Sequence, residues 1–65
     1  MKYYEVIDND GWVLPTIYND QQRNDAIYAA KRMANVVDRE QNPEYKVMLV
    51  EFDTDGMYAN VIETL

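Results

Sequence analysis

One short pattern occurs twice in this chain. Ile7-Asp8-Asn9-Asp10-Gly11-Trp12 and Phe52-Asp53-Thr54-Asp55-Gly56-Met57 both read apolar-Asp-x-Asp-Gly-apolar. An Asp-Gly pair between β-rich runs is a strong hairpin signal, because Gly accepts the positive φ that a tight turn demands. Lys2-Tyr3-Tyr4-Glu5-Val6-Ile7 leads into the first turn and Trp12-Val13-Leu14 returns, which predicts a hairpin over 2–14. Pro15 ends its second strand or confines it to a sheet edge. The second copy predicts a hairpin over about 44–64, with Lys46, Met48, Val50 and Phe52 alternating with Tyr45, Val47, Leu49 and Glu51. The repetition reads as convergence on good turn chemistry rather than duplication, since Asp and Gly dominate such turns.

Between the two hairpins lies a helical pattern. Asn19 followed by Gln22 resembles a capping box, with Asp20 placed to favour the helix dipole. Ala26, Ala29, Ala30, Met33, Val36 and Val37 form one stripe, widened at its edge by Ile27 and Ala34. Tyr28, Lys31, Arg32, Asn35 and Arg39 lie on the opposite side. The helix is expected over about 20–40, ended by Asn42-Pro43, with its small alanines allowing close approach to a sheet. The fold class is therefore α+β in the order ββαββ: an antiparallel sheet with one helix packed on one face, in a single small domain over 1–65. Strand order is not derivable. Hairpin geometry puts Met48, Val50, Phe52, Met57, Ala59 and Val61 on one face, taken as the core, and Glu51, Asp53, Tyr58 and Asn60 on the other.

Composition narrows the chemistry. The 65 residues contain no Cys, no His and no Ser. A structural zinc site, a thiol nucleophile, an imidazole base and the nucleophilic triads are therefore ruled out. Paired carboxylates lie at turns or on solvated strands in a chain with little room for a substrate cleft, so no catalytic residue and no cofactor are expected. The Asp-x-Asp-Gly turns also suggest calcium. The second copy starts an EF-hand pattern with Glu51, Asp53, Asp55 and Gly56, then places Ile62 where a bidentate Glu is required. The first copy fails at Val6 and Ile17. A weak surface cation site is the residual reading, and no metal ligands are assigned. The chain begins with Met and shows neither the apolar run of a signal peptide nor a membrane-spanning stretch, consistent with a complete cytoplasmic gene product.

Charge carries more information. The chain has 12 acidic and 6 basic side chains, a net charge of −6, which opposes binding to a phosphate backbone. Residues 1–19 sum to −2, residues 20–42 to zero and residues 43–65 to −4. The whole excess thus belongs to the hairpins. Alternate residues on one strand face stand about 6.6–6.8 Å apart, roughly two base-pair rises of a phosphate backbone. Glu5, Asp8, Asp10, Glu51, Asp53 and Asp55 are the candidate phosphate-like charges, with Tyr58 as an aromatic anchor among them. The plain alternative is that these acids keep a small protein soluble.

A very short, acidic, Cys-free α+β chain of this layout resembles the phage-borne inhibitors of bacterial defence, the anti-CRISPR proteins in particular. The resemblance covers the whole chain and rests on size, charge and layout, so it transfers no residue by motif. It implies a stoichiometric inhibitor acting as a DNA mimic in the bacterial host, binding a Cas subunit of a type I surveillance complex. The expected function is then a non-enzymatic acidic binding protein that occupies a basic nucleic-acid-binding groove. The alternatives are a small homodimeric structural or regulatory interaction module, using the basic helix face or an open sheet edge, and a weak divalent-cation binder.

Overall fold

The computed structural model describes residues 1–53 and 58–65, the latter without the side chain of Tyr58. Strand β1 (Lys2–Asp8) is followed by β2 (Tyr18–Asn19), a 3-10 turn (Asp20–Gln22), helix α1 (Arg23–Val36), β3 (Val47–Asp53) and β4 (Tyr58–Thr64). The strands form one antiparallel sheet in the order β2-β1-β3-β4. The helix packs on β1, β2 and β3. The fold is α+β.

The first turn forms where Asp-Gly places it. Gly11 has φ +93°, its N–H donates to the Asp8 carbonyl at 3.2 Å, and the Asp8 N–H donates to the Trp12 carbonyl at 2.9 Å. The returning segment does not continue as a strand over Trp12–Leu14. Val13 makes a single bridge to Ile7, the Leu14 N–H donates to the Val6 carbonyl at 2.9 Å, and there the ladder stops. Pro15 has no N–H to give, so the chain bows out at Pro15 and Thr16 and rejoins β1 only where Tyr18 meets Tyr4 and Asn19 meets Tyr3.

Asn19 and Gln22 form the expected capping box. The Asn19 side chain accepts from the Gln21 N–H at 3.0 Å, and Gln22 Oε1 accepts from the Asn19 N–H at 3.1 Å. They cap the 3-10 turn that leads into α1. The helix ends at Val36, short of the expected residue 40. Val37 is already extended, with φ −91° and ψ 133°. Asp38 then forms its own turn: its side chain accepts from the Glu40 N–H and its carbonyl from the Asn42 N–H. That local bonding competes with continuation of the helix.

The sheet presents the opposite face to the helix from the one expected. On β1, Tyr4, Val6 and Asp8 stand opposite Glu51, Leu49 and Val47 of β3, and this is the covered face. The core is Tyr4, Val6, Val47 and Leu49 against Ala26, Ala30 and Ala34. Met48, Val50 and Phe52 therefore point away from the helix, while Glu51 and Asp53 share its side. The physical cause is the unbroken run Val47-Met48-Leu49-Val50, which has no polar step to mark a solvent face. Glu51 and Asp53, at the Lys2 end of that covered side, are half-buried. Val36, expected on the core stripe, is 83% exposed. Ala34, expected at the stripe's edge, is buried.

Candidate partner-binding surfaces

The candidate acids do not form one row. Asp8 is only 8% exposed. Its Oδ1 accepts from the backbone N–H groups of Asp10 at 3.0 Å and Trp12 at 2.9 Å, and its Oδ2 accepts from the Tyr45 hydroxyl at 3.1 Å. It anchors the turn and is not a surface charge. Partial burial, the hydrogen bond to Asp8 and the charges of Asp8 and Asp10 raise the Tyr45 pKa, with Arg39 opposing them. Asp10 is exposed, beside a polar hollow it shares with Asn9, Gln41, Asn42 and Glu44. The loop carrying Glu44 is tied to the turn by Asn9, whose Nδ2 donates to the Glu44 carbonyl and whose Oδ1 accepts from the Lys46 N–H at 3.1 Å.

Glu51 and Asp53 sit at the other end of the sheet. Glu51 pairs with Lys2 at 3.4 Å and Asp53 with the N-terminal amino group at 3.2 Å. With Asn60 and Lys2 they edge a shallow hollow. The six steps of β1 from Lys2 to Asp8 span about 20 Å, so Asp8 and Asp10 are separated from Glu51 and Asp53 by roughly the length of the strand. Glu5 stands alone on the open face, opposite Val50. Asp55 and the side chain of Tyr58 lie outside the described residues. The expectation that the acids collect on the face opposite the helix is therefore corrected: of the five candidate acids among the described residues, Glu5 alone is placed there.

That open face is apolar. The register places Tyr3 beside Phe52, Ile7 beside Met48, and Val50 and Phe52 beside Val61 and Ala59. The rings of Tyr3 and Phe52 stack with centroids 5.6 Å apart. Val13, bridged to Ile7, and Ile17, two residues before Asn19, extend the face past β1 by strand alternation. Val13, Ile17 and Val61 are all among the exposed large apolar side chains.

On the helix side a second apolar surface is concave. The detour at Pro15 and Thr16 leaves a groove of about 700 Å³ between residues 12–18 and the outer flank of α1. Trp12, Leu14 and Tyr18 line it from one side, and Tyr28, Met33 and Val36 from the other. Asp8 and Tyr45 also contribute, and the small side chain of Ala29 leaves room between the walls. Arg32 stacks over the Tyr28 ring at 5.9 Å. Trp12, Tyr28 and Val36 are each more than half exposed. Sequence reasoning left these three out of the site. Tyr28 and Arg32 at i and i+4 were the available signal. Val36 carried none, because its position on the stripe pointed inward.

Comparison with protein-family models, curated proteins and solved structures gives no match. No group of three or more metal-ligating side chains converges among the described residues, and no helix is long and apolar enough to cross a membrane.

Proposed function

We propose that this chain is a non-enzymatic binding domain for a basic, nucleic-acid-binding protein, gripping an apolar projection of that partner in the groove between Trp12 and α1. The observation that carries this reading is the groove itself: concave, apolar, edged by exposed Trp12, Tyr28 and Val36, and furnished with a few polar groups that can orient a ligand. Exposed Trp and Tyr are the side chains that most often carry binding energy at protein interfaces. The net charge of −6 supplies the second element. It favours partners with basic surfaces, raises their encounter rate and disfavours nucleic acid itself.

Charge and grip are thus divided between different parts of the molecule. The acids act at a distance from Asp10, Glu44 and the other exposed positions, and the aromatic groove holds. Partners whose basic surface serves nucleic acid are excluded from that ligand while bound, which makes the domain an inhibitor. The likeness in size, charge and layout to small acidic anti-CRISPR proteins supports testing Cas subunits first.

The test is affinity capture from bacterial lysate with the wild-type chain, Trp12→Ala and Tyr28→Ala, each with and without competing DNA. The expected result is recovery of a nucleic-acid-binding protein that is lost when DNA is added and lost in both groove variants. Recovery that survives both substitutions removes the groove from the binding site. Recovery indifferent to DNA removes the competition.

A further inference from the structure

We infer that the open face of the sheet is the interface of a homodimer, two copies packing Tyr3, Ile7, Met48, Val50, Phe52 and Val61 face to face. A sheet with one covered face is half of a layered structure. Its other face stays solvated at little cost only when its residues are polar. Here the uncovered face is mostly apolar, with Tyr3 and Ile7 on β1, Met48, Val50 and Phe52 on β3, and Ala59 and Val61 on β4, interrupted by Glu5 and Thr64. The covered side does not compensate: among the described residues its core is seven side chains, three of them alanine, and Val6, Val47 and Leu49 are the large ones fully buried. The chain has no cysteine and no cluster of metal ligands among its described residues. Of the devices that hold small domains together, association is the one this surface is built for.

Charge selects a second copy as the occupant. Among the described strand residues, Glu5 is the charged side chain facing this way, because Lys2, Asp8, Glu51, Asp53 and Glu63 belong to the helix side. Lys46, two residues before Met48, falls on the same row by alternation. The face is therefore close to neutral while the molecule carries −6. A basic partner gains little from it. A second copy brings a matching apolar surface and one Lys for each Glu. Three rows about 4.8 Å apart and seven residues long give a flat footprint of roughly 14 × 24 Å. That is less than half of the ~800 Å² per partner of a standard interface, so the dimer is a weak one that forms at high protein concentration.

Sedimentation velocity over two decades of concentration into the sub-millimolar range tests the dimer. The mass should rise from 7.7 kDa toward twice that value, and Tm should climb with concentration, as it does when folding and association are linked. Val50→Lys should raise the dissociation constant at least tenfold. Should that variant fail to fold, single cysteines in the otherwise Cys-free chain decide the interface. A short bismaleimide reagent should join Val50→Cys protomers and leave Tyr28→Cys protomers single. A mass of 7.7 kDa with a flat Tm throughout, or a dimer joined through Tyr28→Cys and not Val50→Cys, overturns the inference. The dimer does not rest on the groove reading: Trp12→Ala should leave it intact, and the two grooves then face outward.

Discussion

The Tyr45 hydroxyl donates to Asp8 Oδ2 at 3.1 Å, joining the approach to β3 with the first turn across 37 residues of sequence. The same carboxylate accepts two backbone N–H groups on its other oxygen. The turn, the end of β1 and one end of the groove therefore share a single buried anion. Tyr45→Phe removes one charge-assisted bond and leaves two donors in place, costing about 1–2 kcal/mol. Asp8→Ala strands all three donors and should cost about 2–3 kcal/mol. Urea denaturation of the two variants measures the difference. Equal losses would mean that the backbone donors contribute nothing.

The same contact gives stability a dependence on alkaline pH. Ionising Tyr45 in the folded chain sets a second negative charge beside Asp8. Partial burial, the Asp8 hydrogen bond and the nearby acids hold its proton above the ordinary pKa of 10.0, against the opposing charge of Arg39. The folded state thus binds this proton more tightly than the unfolded chain. The associated stability is fully present below pH 10 and is lost as pH rises through the higher folded value. Tyr45→Phe cannot lose it. The gap between wild-type and Tyr45→Phe urea midpoints should narrow as pH is raised from neutral to about 11, and a constant gap would show that the hydroxyl is uncoupled from Asp8.

Arg39 was expected on the solvated side of a longer helix. With the helix ending at Val36, its guanidinium instead donates to the Tyr45 carbonyl at 2.8 Å and the Ala34 carbonyl at 3.4 Å, and stacks over the Tyr45 ring at 5.5 Å. It satisfies a carbonyl in the last turn of α1 that the helix leaves open. Arg39→Ala should cost about 1–2 kcal/mol. Arg39→Lys should recover only part of that, because an ammonium cannot keep the planar fork and the ring contact together. Full recovery by Lys would assign the effect to charge alone.

What could be read from the sequence was local chemistry. Asp8 through Gly11 announced the first turn, Asn19 with Gln22 announced the cap, and the stripe of Ala26, Ala29, Ala30, Met33, Val36 and Val37 announced the helix. What could not be read depended on a choice between equivalent faces. Val47 and Leu49 are no more apolar than Met48 and Val50, and only the docking of α1 distinguishes them. The acids then followed their strands: Glu51 and Asp53 went with Leu49 to the helix side, and Asp8 went under Tyr45. The groove was hidden for a related reason, since it exists through the detour at Pro15 and the exposure of Val36, both consequences of how distant segments meet.

Gly11 isolates a backbone effect from packing. At φ +93° it occupies the left-handed side of the map, and a Cβ placed there meets nothing within 4 Å. Gly11→Ala therefore has no clash to relieve, and its cost is conformational strain alone, about 1 kcal/mol. That corresponds to a fall of about 4–8 °C in Tm for a domain of this size. Gly11→Asn should lose less, since Asn tolerates positive φ better than Ala. Thermal melts of both variants provide the comparison. An unchanged Gly11→Ala would mean that the turn relaxes to negative φ at no cost.

The division between charge and grip can be separated kinetically. Asp10 and Glu44 are exposed and share one polar hollow, whereas Glu51 is already paired with Lys2. Reversing Asp10 and Glu44 to Lys should slow association with a basic partner roughly tenfold at low salt. The difference should shrink as ionic strength rises and screening shortens toward about 8 Å. Glu51→Gln should change the rate far less, because it removes a charge whose field Lys2 largely cancels. Trp12→Ala should do the converse, accelerating dissociation while leaving association nearly untouched, since a buried aromatic anchor is felt only after docking. Surface plasmon resonance across a salt series reads both constants. If charge reversal altered dissociation and Trp12→Ala altered association, the roles assigned to the acids and the groove would be exchanged.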